Sequence, residues 1–543
     1  MSMSKLLIYL VIALCCQIVQ ADDSKISPKA AFIPPKKIGF GATGGGSSHY
    51  FWVLEILQEL HSRGHNTTLY SRTDSIRLAS DYPQIETKPI GGDLNLLAAG
   101  GKEDLKQLRY YFQHRGLDPF HFLSLVMPGQ LKNYTEEYKD YMNLIQKDKV
   151  DIVICDMFAV ACIDATDSSR LPLVITSTLT YSPDSLTNYV TKQFPCVDEP
   201  TTETMTIWQR LQYIFYTFYI PYKARRLDIP AHTFQKQHGV SLTDHFYITH
   251  HRAIKLVNNM FGLEPARPLG PLVQFVGPIM RQKYHALTPA LAAFMDGHSR
   301  VAYAAFGQHA VPTDLDTSFL VKALMYNLHQ GHIDAVVWAA AKSHPVPRFT
   351  TSSSSTTTPD NIFLIHWAPQ FALLSHPSMA LFITHGGTGS VHEALFNKVP
   401  LFVFPFFGDQ PSTARMIRRS QLGDFIDTKD MQYTDTTLEE LTRGIRYVAT
   451  DPTVRRSVQH FGAAVQVRAR RAVQRGADTV EELIVGAMDG EAPYLMDVGN
   501  NLWWFKRHDL DLLAIVLIGC AGMGWVGVKA IQSIKFKRKI KIL

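Results

Sequence analysis

Apolar residues along this chain fall into short runs that alternate with longer stretches of helical spacing. Residues 37–40 lead through a glycine-rich stretch into residues 50–64, where apolar positions recur every three or four residues, and residues 66–70 read as the next strand. Strand, loop, helix and strand in that order open an α/β unit. The pattern returns at 150–155, a buried strand ending at Asp156, and at 171–176. A second set of strand-like runs covers 300–306, 335–340, 362–366, 381–384 and 401–405, which implies a second doubly wound sheet. Proline and glycine thicken over 269–278 and Pro289 follows, so the linker between the two units is expected at about 280–290. Residues 350–358 are almost all Ser and Thr and read as a loop.

Three segments stand outside this alternation. Lys5 precedes an apolar run over 6–16, and Val19-Gln20-Ala21 offers a small residue for cleavage, so residues 1–21 read as a signal peptide. Residues 512–528 carry no charge between Asp511 and Lys529, and such a run spans roughly 26 Å as a helix, about the thickness of a membrane core. Trp503, Trp504 and Trp525 edge it, and the basic tail beyond it predicts a cytosolic C-terminus with the bulk of the chain luminal. Residues 202–226 are rich in aromatics, including Trp208, Tyr213, Phe215, Tyr216, Phe218 and Tyr219. That stretch fits a core helix as well as a surface that meets a bilayer or lines an apolar acceptor pocket.

Charge and cysteine content narrow the class. The 543 residues carry a formal charge of +6, but Lys535, Lys537, Arg538, Lys539 and Lys541 crowd the tail, so nucleic-acid binding has little support. With Cys15 and Cys16 in the signal and Cys520 in the span, Cys155, Cys162 and Cys196 remain, too few for a disulfide framework. Asn66-Thr67-Thr68 and Asn133-Tyr134-Thr135 match the N-glycosylation acceptor pattern of a luminal glycoprotein.

Chemistry concentrates between 367 and 410: Trp367-Ala368-Pro369-Gln370, then Leu374, His376, Thr384-His385-Gly386-Gly387, Ser390, Glu393, Pro400, Pro405 and Asp409-Gln410. An indole offers a flat face to a base, and a carboxylate can accept two ribose hydroxyls. Glycines after a strand let backbone N–H groups approach a diphosphate at a helix start. This run resembles the signature of UDP-dependent glycosyltransferases acting on small molecules, the group of animal glucuronosyltransferases and plant glucosyltransferases. The resemblance implies a GT-B-type architecture, two facing Rossmann-like α/β domains with the site in the cleft, here followed by one C-terminal transmembrane helix. It implies an acceptor-binding domain over 22–285, a UDP-sugar domain over 286–490, a juxtamembrane segment over 491–510, a span over 511–531 and a cytosolic tail over 532–543.

By position, the resemblance implies that Trp367 stacks on uracil and Gln370 holds the base or ribose. His385 with Gly386, Gly387, Gly389 and Ser390 would hold the diphosphate, Glu393 the ribose, and Asp409 with Gln410 the sugar hydroxyls. The family often has Asn where this chain has Gly389 and Ser where it has Gln308, so one side-chain contact to the phosphates is expected to be missing. Ser48-His49, after Gly44-Gly45-Gly46, matches the catalytic histidine, and Asp156 its partner carboxylate. Imidazole suits removal of a hydroxyl proton near neutral pH, and the carboxylate would hold its tautomer. Taken without the resemblance, His49 is a polar loop residue and Asp156 a helix cap.

Two other patterns are weighed as decoys. Gly39-Phe40-Gly41-Ala42-Thr43-Gly44 fits a dinucleotide fingerprint, but the second strand ends in Leu69-Tyr70-Ser71-Arg72 with no acid for a ribose. Asp314-Leu315-Asp316 and Asp509-Leu510-Asp511 resemble metal-binding carboxylate pairs, yet capping and interface roles fit them better, and no metal or other cofactor is expected. The expected activity is inverting transfer of a hexosyl or glucuronosyl group from a UDP-sugar to a small lipophilic acceptor at the endoplasmic reticulum membrane. A transferase acting on a membrane lipid such as ceramide, and a non-catalytic luminal binder of nucleotide sugar, are the alternatives. A homo- or hetero-oligomer is compatible with either.

The last residues, Lys539-Ile540-Lys541-Ile542-Leu543, resemble a dilysine retrieval signal. Replacing Lys539 and Lys541 with Ser leaves Lys535, Lys537 and Arg538 to hold orientation. Fluorescence microscopy is expected to find the double variant in the Golgi or plasma membrane with its tail still cytosolic. Unaltered residence in the endoplasmic reticulum would reduce the tail to a topology device.

Overall fold

The computed structural model describes residues 33–44, 46–91, 131–180, 189–190, 201–224, 226, 230–240, 250, 252–307, 310–342, 344–349 and 359–540. The expected signal peptide, Gly45, Cys196, Gln308, the Ser/Thr run over 350–358 and residues 541–543 lie outside them.

Thirteen strands among the described residues build two sheets, all parallel. The first holds β1 (Lys37–Ala42), β2 (Asn66–Ser71), β3 (Glu86–Pro89), β4 (Ile152–Asp156), β5 (Leu173–Ser177), β6 (Ile254–Val257) and β7 (Val273–Phe275), in the order β3-β2-β1-β4-β5-β6-β7. The second holds β8 (Val301–Ala305), β9 (Ala335–Ala339), β10 (Ile362–Ile365), β11 (Met379–Thr384), β12 (Leu401–Val403) and β13 (Gly423–Phe425), in the order β10-β9-β8-β11-β12-β13. Helices cover both faces of each sheet, which is why the central strands read as unbroken apolar runs. Strand order reverses between β1 and β4 in one sheet and between β8 and β11 in the other. Those two reversals open the crevices in which such sheets bind ligands.

The glycines of the fingerprint-like stretch serve packing. A Cβ on Gly39 would lie 2.6 Å from the Tyr70 ring, and one on Gly41 would lie 2.8 Å from the Tyr141 hydroxyl. Side chains from neighbouring elements thus press on β1 where a larger residue would collide with them. Asp316 completes a capping box with Thr313 at the start of the Asp314–His329 helix and accepts from the Tyr433 hydroxyl at 2.8 Å, a structural duty.

The chain order and the packing part company near the C-terminus. The Pro452–Ala469 helix lies on the second unit, with Val454, Val458 and Val465 in its core. The next helix, Ala472–Gly486, buries Ala472, Val473, Ala477, Val480 and Leu483 in the core of the first sheet, beside Ile38, Phe40 and Ile56. Arg468 donates to the carbonyls of Phe275 and Gly277, and Arg475 to that of Val276, so the corner between the two helices grips the end of β7. Arg63 bonds Asp478 at 2.7 Å and Glu481 at 2.5 Å, and His65 reaches Glu481 at 3.0 Å, closing the rim of the contact. Beyond it, one helix among the described residues is long and apolar enough to cross a membrane, Leu510–Lys535, and it is wholly exposed.

Leu483 is fully buried in that returning helix, whereas Val485 two residues on is exposed. Leu483→Ala is expected to cost about 2–5 kcal/mol as a cavity in the first core. Val485→Ala should stay within about 0.5 kcal/mol. Urea unfolding of detergent-solubilised protein, read as a shift in midpoint, checks the difference.

Candidate functional site

β1 and β4 are hydrogen-bonded neighbours, with Gly41 opposite Cys155, so both strands end at the same edge. From that edge the chain after β1 turns into the Ser47–Ser62 helix, whose first turn carries His49, and β4 ends on Asp156. The two side chains meet: His49 Nδ1 lies 2.8 Å from Asp156 Oδ2, with Asp156 only 1% exposed and His49 13%. The other carboxylate oxygen accepts from the Phe158 backbone N–H at 3.0 Å, and the Phe158 ring lies against the imidazole. Asp156 is therefore not a cap of the Val160–Ser168 helix, whose N-cap is Ala159.

With Nδ1–H donating to the carboxylate, Nε2 is the ring nitrogen left with a lone pair. Burial pushes the imidazole pKa down, but the Asp156 carboxylate outweighs it through its charge and hydrogen bond, with a further contribution from Asp409. The net result is a pKa above the usual histidine value. Asp409 belongs to the second unit, so the first histidine already feels a charge across the cleft.

On the facing side, β11 ends at Thr384 and runs through His385-Gly386-Gly387 into the Thr388–Phe396 helix. Gly386 has φ +88° and its missing Cβ would lie 2.8 Å from Val403, a position open only to glycine. The His385 ring sits beside Gly307, whose missing Cβ would be 3.0 Å from it, and beside Gly387. Gly387 is the N-cap and accepts no side-chain cap, which leaves the first N–H groups of the helix without a side-chain acceptor. A Cβ on Gly389 would lie 3.7 Å from that of Ser48. The amino ends of two helices, one from each unit, thus converge on one place suited to an anion.

Deeper along the same helix, Glu393 Oε2 accepts from Gln370 Nε2 at 2.9 Å, and the same amide reaches Ser390 Oγ at 3.2 Å. The Tyr303 hydroxyl donates to Gln370 Oε1 at 3.4 Å. Burial raises the Glu393 pKa to about 7, against the lowering effect of Gln370 and of Arg281. Trp367 stands at the rim with 62% of its surface exposed, its face open to a flat ligand. Asp409 Oδ2 accepts from the Thr388 hydroxyl at 3.3 Å, and burial raises its pKa while Thr388 and His49 pull it down. Gln410 is engaged otherwise: its Oε1 accepts from the N–H groups of Phe406 and Phe407, so it shapes the turn after β12 and offers a ligand only its amide nitrogen.

Several participants carry no sequence signal. Thr388 and Phe158 touch Asp409 and His49 but belong to no spacing rule. Tyr284 stacks on Phe371 with ring centres 3.8 Å apart and planes 9° off parallel, bracing the Gln370 helix from the linker. Cys155 and Cys162 form a disulfide, which closes the segment holding both Asp156 and Phe158. Cysteine counting excludes a disulfide framework but does not reveal this single local pair.

Comparison with known proteins gives the family and the fold. A profile of the UDP-glucoronosyl and UDP-glucosyl transferase family matches residues 44–541. The chain is 26% identical to UDP-glycosyltransferase FPY2 of Fusarium mangiferae, over 93% of this chain and 100% of that protein. It is 24% identical to UDP-glucuronosyltransferase 1A9 of Mus musculus, over 87% of this chain and 88% of the relative. Among solved structures, the glycotransferase of kitacinnamycin superposes with a TM-score of 0.58 at 18% identity, covering 83% of this chain and all of that one. The fold is thus of the GT-B type, two facing parallel α/β domains.

If Glu393 accepts ribose hydroxyls, as the resemblance implies, a carboxylate titrating near neutrality makes nucleotide binding pH-dependent. Ribose hydroxyls donate to the ionised form, so binding expels the proton that Glu393 holds below about pH 7. UDP affinity measured by calorimetry is expected to fall as pH drops through 7, approaching tenfold per unit. Glu393→Gln should weaken binding at pH 8 and flatten the profile. A parent profile with no slope between pH 6 and 8 would remove Glu393 from the ribose.

Proposed function

Because the chain belongs to the UDP-glucuronosyl and UDP-glucosyl transferase family, whose members move sugars from UDP-sugars, we propose that it transfers a hexosyl or glucuronosyl group to a hydroxyl of a small lipophilic acceptor with inversion at the anomeric carbon. The observation that carries this reading is the His49–Asp156 pair, bonded at 2.8 Å and facing the amino end of the Thr388–Phe396 helix across the cleft.

In this mechanism His49 Nε2 takes the acceptor's hydroxyl proton while that oxygen attacks the anomeric carbon from the side opposite the diphosphate. The bond from the anomeric carbon to the phosphate oxygen breaks, and UDP leaves with the bonding pair. One displacement inverts the centre. Asp156 holds the productive tautomer and stabilises the imidazolium as it forms. Charge growing on the diphosphate meets the N–H groups at Gly387 to Ser390 and the positive end of the helix dipole. Asp409 is available to accept sugar hydroxyls, and its charge favours the imidazolium. These groups supply proton transfer and anion stabilisation from the chain itself, so we also propose that no metal takes part.

His49→Ala is expected to lower kcat by about 100- to 10,000-fold with UDP affinity nearly unchanged, because the donor residues lie in the other unit. Asp156→Asn should be impaired as well, non-additively with His49→Ala, and should move the acid limb of kcat/KM to lower pH by removing the charge that raises the imidazole pKa. A panel of UDP-glucose and UDP-glucuronate against phenolic and steroidal acceptors, with chelator present, supplies the assay, and proton NMR of the product reads its stereochemistry. A His49→Ala enzyme within about threefold of the parent, or a retained anomeric configuration, would overturn the mechanism. No transfer to any acceptor would leave a nucleotide-sugar binder.

A further inference from the structure

The turn that follows β6 leaves its own unit. Met260 and Leu263 are buried in the core of the second sheet, in the cluster that Val391, Ala394 and Leu395 of the Thr388–Phe396 helix also build. Gly262 has φ +101°, and its missing Cβ would lie 2.6 Å from the Phe461 ring of the Pro452–Ala469 helix. The Ser420 hydroxyl donates to the Gly262 carbonyl at 3.2 Å. A short segment of the first unit is thus built into the second.

Its polar side chains reach both walls of the cleft. Asn259 Oδ1 accepts from His392 Nε2 of the Thr388–Phe396 helix at 3.5 Å. The amide nitrogen of Asn259 donates to the Thr178 carbonyl and to Glu264 Oε1, both at 3.3 Å. Glu264 Oε1 also accepts from the Thr180 backbone N–H at 3.0 Å, while Oε2 accepts from Arg267 at 2.7 Å. Glu264 is only 1% exposed, and a carboxylate so deeply buried is costly unless its oxygens are bonded. Arg267 satisfies the charge through one oxygen. The second oxygen is spent on joining two separate segments.

One of those segments starts beside the His49–Asp156 pair. Thr178 and Thr180 lie in the loop that leaves β5, and β5 places Thr176 opposite Asp156. The Thr176 carbonyl accepts from the Met157 N–H at 3.0 Å, so the loop departs next to the turn that holds Asp156. The other segment, through Asn259, touches the helix that follows Gly387. Glu264 is also near enough to Asp409 for its charge to add to the burial that raises the Asp409 pKa.

We propose that Glu264 is a positioning residue for the transfer: it sets the spacing between the strand edge that carries Asp156 and the Thr388–Phe396 helix. It acts through Thr180 and Asn259 and not by contact with a substrate. The inference rests on the catalytic reading and adds to it a residue that the chemical steps do not use.

This duty requires reach as well as charge. Glu264→Asp keeps the charge for Arg267 but shortens the side chain by one carbon–carbon bond, about 1.5 Å. Glu264→Gln keeps the reach and an accepting oxygen but loses the charge. A role confined to the ion pair favours the Asp variant, and a spacing role favours the Gln variant.

Cleft geometry can be read without turnover. A Cβ on Gly389 would lie 3.7 Å from that of Ser48, within the span of a disulfide, so Ser48→Cys with Gly389→Cys is expected to cross-link on mild oxidation. Mass spectrometry of the bridged peptides measures the rate in detergent-solubilised full chain. Adding Glu264→Asp should slow cross-linking about tenfold, and Glu264→Asp alone should lower kcat by about 10- to 100-fold. UDP affinity and the urea midpoint are expected to stay near the parent's. Glu264→Gln should recover most of both rates despite a lower midpoint. Parent-like cross-linking or parent-like kcat in Glu264→Asp would overturn the proposal. So would cross-linking slower in Glu264→Gln than in Glu264→Asp, which would reduce Glu264 to the partner of Arg267. Cross-linking needs neither donor nor acceptor, so a parent that transfers nothing strikes the catalytic reading while the spacing is still decided.

Discussion

Two parallel sheets can share one ligand only if something fixes their edges face to face, and in this chain that constraint is the return of the Ala472–Gly486 helix to the first core. The helix is covalently the end of the second unit and physically part of the first. Its buried apolar face resists separation of the units, and the arginines at its entry are tied to backbone carbonyls at 275–277. With the domains so held, Ser48 and Gly389 lie near contact and His49 feels Asp409. Arg281, at the start of the linker, adds a second tie: it bonds Asp81 at 2.7 Å and lies over the Phe51 ring at 4.0 Å.

The cleft that results is rich in buried acid. Asp156 and Glu264 are withdrawn from water, and Asp409 and Glu393 partly so. Such a site is tolerable because each carboxylate has a specific partner: His49 for Asp156, Thr388 for Asp409, Gln370 for Glu393, and Arg267 for Glu264 at 2.7 Å. Only the pair on the first unit couples a base to a fixed carboxylate. Asp409 and Glu393 of the second unit are bonded to uncharged groups, which leaves them able to accept hydroxyls of a ligand. In the proposed mechanism one environment thereby serves two kinds of work, proton removal on one wall and recognition on the other.

The patterns that misread as sites show how the same residues serve packing. Gly39 and Gly41 satisfy a phosphate-binding spacing, yet their missing side chains make room for Tyr70 and Tyr141. In the proposed mechanism the phosphate site lies instead at Gly386 and Gly387, which precede a helix with no side-chain cap at its amino end. What separates the two sets is the element that follows and what fills the space, which no spacing rule encodes.

By itself the sequence determined the alternation of strands and helices, the two parallel sheets, the apolar C-terminal run and most residues at the cleft. Each of these is local: period, strand length and a forty-residue signature survive reading in one dimension. Short or mixed strands such as Ile254–Val257, with a buried lysine inside it, and Gly423–Phe425 escaped, because their conformation is imposed by neighbours in the sheet. The tertiary structure supplies the reason that His49 and Asp156, 107 positions apart and paired in the sequence by resemblance alone, bond to one another: strand order brings β1 beside β4. It also decided that Gln370 holds Glu393, that Gln410 spends its oxygen on a turn, that Cys155 finds Cys162, and that the last soluble helix packs into the first core. The physical reason is common to all of them. A side chain's partner is set by which surfaces must be buried together, and burial is a property of the folded whole.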